Sequence, residues 1–256
     1  PLRLVGSEMC IRDRLKSKVL IGTAWAAAML CGSVAHAQQA GDIVLGAGWM
    51  YFSPQDSSKP LTRTVGGVST QIPNSGAKVS NANTVGLSGL YYFDSHWAVE
   101  TVLGVPPTFK LDGTGSLAGV GRIGEAKQWS PAVLLRYTFF DGQAKFRPFV
   151  GLGATYVWYS DVKLSDRFHS TMAGAAAPIT NTRAKLSNSF APVINIGAGY
   201  QFDDHWGVSW SVSYIPLDTK ANLTTRLNSN GATVGTGQTK LKLDPIVSYV
   251  SLTYRF

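Results

Sequence analysis

The stretch Ile246-Val247-Ser248-Tyr249-Val250-Ser251-Leu252-Thr253-Tyr254-Arg255-Phe256 alternates faces along its whole length. Ile246, Val250, Leu252, Tyr254 and Phe256 share one parity; Val247, Tyr249, Ser251, Thr253 and Arg255 share the other. A strand repeats its side-chain direction every second residue, so this is a strand with one almost wholly apolar face and one mixed face. The segment from Trp206 to Ile215 shows the pattern more sharply. Trp206, Val208, Trp210, Val212 and Tyr214 face one way, and Gly207, Ser209, Ser211 and Ser213 the other. A water-soluble barrel would turn the bulky set inward and leave glycine and serine outside. A small barrel in a bilayer reverses this, because its narrow interior takes small residues while its outer face meets hydrocarbon.

Eight segments follow this alternation: Ile43–Phe52, Asn83–Phe93, Trp97–Val105, Trp129–Phe139, Pro148–Tyr159, Phe190–Phe202, Trp206–Ile215 and Leu243–Phe256. Each is about as long as a tilted membrane strand requires. The connections alternate long and short, with residues 53–82, 106–128, 160–189 and 216–242 long and 94–96, 140–147 and 203–205 short. That asymmetry fits an all-β fold, an eight-stranded antiparallel up-and-down transmembrane β-barrel, with both termini on the periplasmic side. The Gly, Ser, Asn and Thr clusters of the long connections predict mobile segments without elements of their own. Tyr91-Tyr92-Phe93-Asp94-Ser95-His96-Trp97 is echoed by Tyr200-Gln201-Phe202-Asp203-Asp204-His205-Trp206, which predicts two like hairpins with aromatics at the inner head-group boundary.

Residues 15–37 read as a secretory signal peptide. Lys16 and Lys18 form the positive start, Val19 to Leu30 an apolar core too short to span a membrane, and Ala35-His36-Ala37 a cleavage site before Gln38. Leu30 before Cys31 is too bulky for a lipoprotein signal. Residues 1–14 fit neither a signal nor a fold, resemble translated sequencing-adapter DNA, and are read as non-native. Residues 38–256 form the barrel domain. Both cysteines, Cys10 and Cys31, precede it, so it has no disulfide and no thiolate chemistry. Lys and Arg number 23 against 15 Asp and Glu, and only five of those cations and two of the anions lie before Gln38. The surplus sits mostly in loops, suiting phosphate-rich outer-membrane lipids and lipopolysaccharide rather than nucleic acid, for which no basic stripe with interleaved aromatics exists.

Two charges fall mid-strand. Glu100 shares parity with Ala98, Val102 and Gly104, and Arg136 with Ala132, Leu134 and Thr138. A lipid-facing Arg at the midplane would cost roughly 2–4 kcal/mol, so both are assigned to the lumen as an ion pair between neighbouring strands. Of the histidines in the barrel domain, His96 and His205 lie at short turns and His169 in a long connection, without metal spacing or a neighbouring nucleophile. The sequence therefore predicts no enzyme, metal or cofactor. The glycine pairs Gly46/Gly48, Gly151/Gly153 and Gly197/Gly199 have strand spacing and are read as relieving crowding inside a narrow barrel.

A strand that ends on Tyr254-Arg255-Phe256 resembles the closing strand of bacterial outer-membrane barrels, whose final aromatics belong to the signal read by the assembly machinery. That resemblance assigns Tyr254 and Phe256 to assembly. Lys145-Phe146-Arg147-Pro148-Phe149-Val150-Gly151-Leu152-Gly153, Trp97-Ala98-Val99-Glu100, Tyr214-Ile215-Pro216-Leu217-Asp218-Thr219 and Leu243-Asp244-Pro245-Ile246 together resemble the OmpW family of small outer-membrane barrels. The resemblance implies a narrow, largely apolar lumen that admits small hydrophobic molecules and releases them sideways into the bilayer. It places a constriction near Val102 and Ser213, where serine departs from the large aromatic of the family pattern. Leu90, Val102, Leu134 and Val157 are the inward apolar residues of such a path. A structural or surface-interaction barrel without transport is the alternative.

Overall fold

The computed structural model describes residues 40–256; the readings of residues 1–14 and 15–37 fall outside the described residues. Eight strands make the barrel: β1 Ile43–Ser53, β2 Ala82–Tyr92, β3 Trp97–Gly104, β4 Ala132–Thr138, β5 Phe146–Leu164, β6 Ser189–Gln201, β7 Trp206–Tyr214 and β8 Ile246–Arg255. Each pairs antiparallel with its neighbours in sequence, and β1 pairs with β8, so the sheet closes. Closure gives each of the eight barrel strands a neighbour on both sides, as a sheet in lipid requires.

The parity resolves as the membrane reading requires. Trp210 is 57% exposed on the outer wall while Ser211, next to it, is 8% exposed inside. Trp49, Leu87, Leu103, Val133, Leu152, Ile196, Val250 and Leu252 continue the outward apolar belt. Glycine lets the interior close up. A Cβ on Gly197 would collide with the Phe149 ring and the Trp210 carbonyl.

The two echoed hairpins share one geometry. Asp94 accepts backbone N–H bonds from His96 and Trp97 at 2.6 and 2.7 Å, and Asp203 from His205 and Trp206 at 2.8 and 2.7 Å. His96 then stacks on Tyr137, with Trp97 edge-on to the same ring, and His205 and Trp206 repeat this on Tyr254. Phe139 and Phe256 complete the two clusters.

The long connections do not match the expectation that they lack elements of their own. They are built from antiparallel strands that extend the barrel wall. Arg122–Trp129 pairs with the C-terminal part of β5, Thr108–Gly115 with Arg122–Trp129, and Ser75–Val79 with Thr108–Gly115. A second sheet runs Thr180–Leu186, Asp218–Leu227, Thr233–Lys242, Thr62–Val65, Val68–Gln71. Gly66 and Gly67, at φ of 58° and 82°, make the two-residue turn between Thr62–Val65 and Val68–Gln71, a conformation that favours glycine at both positions. Helix α1, Asp166–Ala173, starts where the Ser165 hydroxyl accepts from the Phe168 N–H at 3.2 Å. It buries Phe168 and Met172 against Ile123 and Leu223, one from each sheet, and against Leu61 and Leu117 from the connections.

Three strand limits also change. The segment Trp129–Phe139 divides at Ser130-Pro131, leaving Trp129 in a wall extension. β5 starts earlier and runs further than Pro148–Tyr159. β8 begins at Ile246 rather than Leu243, because Asp244, at φ 33°, and Pro245 interrupt the extended run.

Candidate functional site

The interior is layered. Near the short turns, a cavity of about 50 Å³ is lined by Ser88, Tyr92, Thr138, Ser209, Ser251 and Thr253 together with Glu100, Arg136, Lys145 and Arg147. Register places these charges. Glu100 on β3 faces Leu134 on β4, and Arg136, two residues on, lies diagonally across from it. The Arg136 Nη1 is 3.5 Å from the Glu100 Oε2, with the two side chains 7% and 10% exposed. The Arg136 guanidinium also lies 3.3 Å over the Phe149 ring on β5, a cation–π contact. Gly151 is its direct neighbour on that strand. Arg147, buried on β5, donates to the carbonyl oxygens of Phe139, Phe140 and Ser95, tying two short turns to the barrel floor.

Above this floor the lumen becomes apolar. A cavity of about 60 Å³ is lined by Met50, Phe52, Val102, Leu134, Val193, Ile215 and Val247, with Asn195 and Ser213 among its polar groups. The Asn195 amide donates to the Ser213 hydroxyl at 2.8 Å. This cavity also touches Gly104, Pro107, Gln128, Ser130 and Ala132, which lie on both sides of a break in the β3–β4 ladder. The last barrel pair there is Val102 with Ala132, and pairing resumes at Thr108 with Lys127. Between them lies the Gln128 N–H to Pro107 carbonyl bond, at 3.1 Å. The cause is local. Val105 donates to Val85, towards β2, so strand alternation turns the nitrogens of Gly104 and Pro106 towards β4. Pro106 has no hydrogen to give.

A third cavity, of about 70 Å³, lies among the wall extensions and is lined mainly by apolar groups including Leu61, Leu111, Ile123, Phe168, Leu223 and Leu241. One apolar cluster joins it to the lumen. Its members Val79, Phe109, Val157, Leu217 and Leu243 line neither cavity and fill the space between them. The Phe52 and Phe109 rings meet edge-to-face there at 5.9 Å.

Of the residues singled out in the sequence, Leu90 lines the floor cavity, and Val102, Leu134 and Ser213 line the one above. Val157, 1% exposed, belongs to the filling layer instead. Tyr254 and Phe256 lie together in the second aromatic cluster. Sequence reasoning omitted Arg147, Asn195 and Tyr249. Arg147 carried a usable signal: it has the parity of Phe149 and Gly151 once β5 starts at Phe146.

The sequence profile of the OmpW family matches residues 39–256. The chain belongs to the OmpW family. Outer membrane protein W of Vibrio cholerae is 27% identical over 90% of this chain and 95% of its own. The crystal structure of the outer membrane protein OprG from Pseudomonas aeruginosa is similar with a TM-score of 0.72 at 26% identity, covering 88% of this chain and 99% of that one. A protein of Pseudomonas aeruginosa named dibenzothiophene metabolism operon protein PahQ is 23% identical over 73% of this chain and 77% of its own. In this OmpW-family outer-membrane barrel, the layered interior and the broken β3–β4 seam are the candidate site.

Proposed function

We propose that this protein carries small apolar molecules inward across the outer membrane, with its long connections facing the outside and its short turns the periplasm. A solute enters the apolar cavity of the wall extensions, passes the Phe52–Phe109 layer when that layer loosens, and reaches the upper lumen. It leaves sideways through the seam between β3 and β4.

The seam carries the reading, since its interrupted ladder borders a largely apolar cavity, and Leu103, Val105 and Val133 beside it are exposed on the outer wall. Straight passage is disfavoured, because an apolar solute would have to desolvate Glu100, Arg136 and Arg147 without replacing their hydrogen bonds. The relative named for a dibenzothiophene metabolism operon supports this class of cargo, dibenzothiophene being an apolar fused-ring compound. A second reading, contact with lipopolysaccharide phosphates, is favoured by the exposed face bearing Arg183, Lys185 and Arg226.

The test is the rate at which N-phenyl-1-naphthylamine becomes fluorescent in intact Gram-negative cells with and without the protein. Faster entry with the protein is expected. Equal rates would remove the uptake reading and leave the surface one.

A further inference from the structure

The Arg136 guanidinium is held by too little. A guanidinium carries five N–H donors in a planar fork that matches a carboxylate. Here its contacts are a 3.5 Å approach to Glu100 and the face of Phe149, and its Nε is buried without a hydrogen-bond partner. The cavity it borders carries three cationic side chains, Arg136, Arg147 and Lys145, against the single carboxylate of Glu100. Hydroxyls of Ser88, Ser209, Ser211, Ser251 and Thr253 complete a lining suited to an anion. Glu100, Ser211 and Tyr249 line both this cavity and the apolar one above it, so the two meet at that level.

We propose that the lumen accepts an amphiphile with an anionic head, its carboxylate on Arg136 in the floor cavity and its apolar body between Val102, Leu134 and Val247 above. This rests on the uptake reading for the direction of supply and narrows the cargo from hydrocarbons to apolar carboxylic acids. A small free carboxylate arriving from the short-turn end would offer Arg136 the same head group. The apolar body separates the two sources.

The experiment follows the arginine Nε–H resonances of the ¹⁵N-labelled barrel in detergent at neutral pH, with the Arg136 signal identified by its loss in Arg136→Met. The probes are 2-naphthoate, the neutral 2-naphthalenemethanol of similar shape, and acetate. Naphthoate should shift the signal saturably, at a concentration about ten-fold or more below that of the alcohol, as expected for a charge-assisted pair. Glu100→Gln, which removes the competing carboxylate, should tighten naphthoate binding further. Glu100→Gln/Arg136→Met, which leaves no uncompensated charge, should bind naphthoate no better than the alcohol.

An unmoved signal with both carboxylates overturns the site. Acetate saturating at the same concentration as naphthoate overturns the amphiphile in favour of a small anion. Naphthoate binding without accelerated N-phenyl-1-naphthylamine entry would refute the uptake reading alone, and the reverse result would refute this inference alone.

Discussion

Glu100 and Arg136 meet two residues out of register, the guanidinium reaching diagonally past Leu134, the true cross-strand neighbour of Glu100. Both groups are buried, and the contact between them is long. Removing one partner strands the other charge in the lumen. Glu100→Ala should therefore cost about 3–5 kcal/mol of folding stability, whereas Glu100→Leu with Arg136→Met should stay within about 1–2 kcal/mol of the parent. Reversible denaturant unfolding in lipid vesicles measures both. A double variant as weak as the single would show that the pair contributes more than mutual compensation.

Pro106 faces the open seam with no N–H. Pro106→Val supplies that donor and should draw β3 towards β4, slowing N-phenyl-1-naphthylamine entry about two- to ten-fold, the effect of roughly one hydrogen bond. Pro131→Val serves as a control, because the Pro131 carbonyl accepts from Thr155 and Tyr156 on β5 and so faces away from the seam. Equal slowing by both would detach the effect from the seam.

Phe109 fills the layer between the outer cavity and the lumen. Phe109→Ala should lower stability by about 3–5 kcal/mol and at the same time raise the entry rate. Those opposite signs separate a gate from a purely structural ring. Loss of stability with unchanged or slower entry would assign Phe109 to packing only.

Asp94 and Asp203 are held as carboxylates by the turns they close. The Trp97 N–H, then the His96 N–H, lower Asp94 below its ordinary 3.8, and the Trp206 and His205 N–H groups do the same for Asp203. A depressed folded-state value means the stabilisation is complete above the unfolded value and disappears as pH falls through the folded one. Side-chain carboxyl ¹³C titrations should place both midpoints below 3.8. Replacing His205 with Ala should leave most of the Asp203 displacement intact, because the Trp206 N–H is its larger cause and the His205 position keeps its own backbone N–H.

The wall was legible because a membrane barrel imposes the period of two on every strand and selects opposite chemistry on its two faces. Glu100 and Arg136 stood out for the same reason, as charges on the small-residue parity. The wall extensions were hidden. Their Thr, Ser, Gly and Asn content matches mobile loops, and only the alternation around Gly66-Gly67 betrays a hairpin. The packing of Leu61, Ile123, Phe168 and Leu223 joins residues too far apart in the chain to declare themselves. The seam was equally obscure, since Pro106 signals a missing donor only once Val105 is seen to point the other way. The break at Ser130-Pro131 is invisible in the sequence because Trp129 keeps the outward parity of the strand that follows.

β5 runs from Phe146 to Leu164, 19 residues with one irregularity between Ser160 and Lys163, or roughly 60 Å of contour at about 3.3 Å per residue. The greasy band of such barrels is only about 25 Å tall. If the long connections face outward, the collar that β5 supports stands well clear of the lipid surface, among the sugars that an oily compound avoids. On the uptake proposed above, the compound would find a dry harbour before it has to cross that hydrated fringe, and the height of the collar, more than the width of the bore, would set which molecules are intercepted.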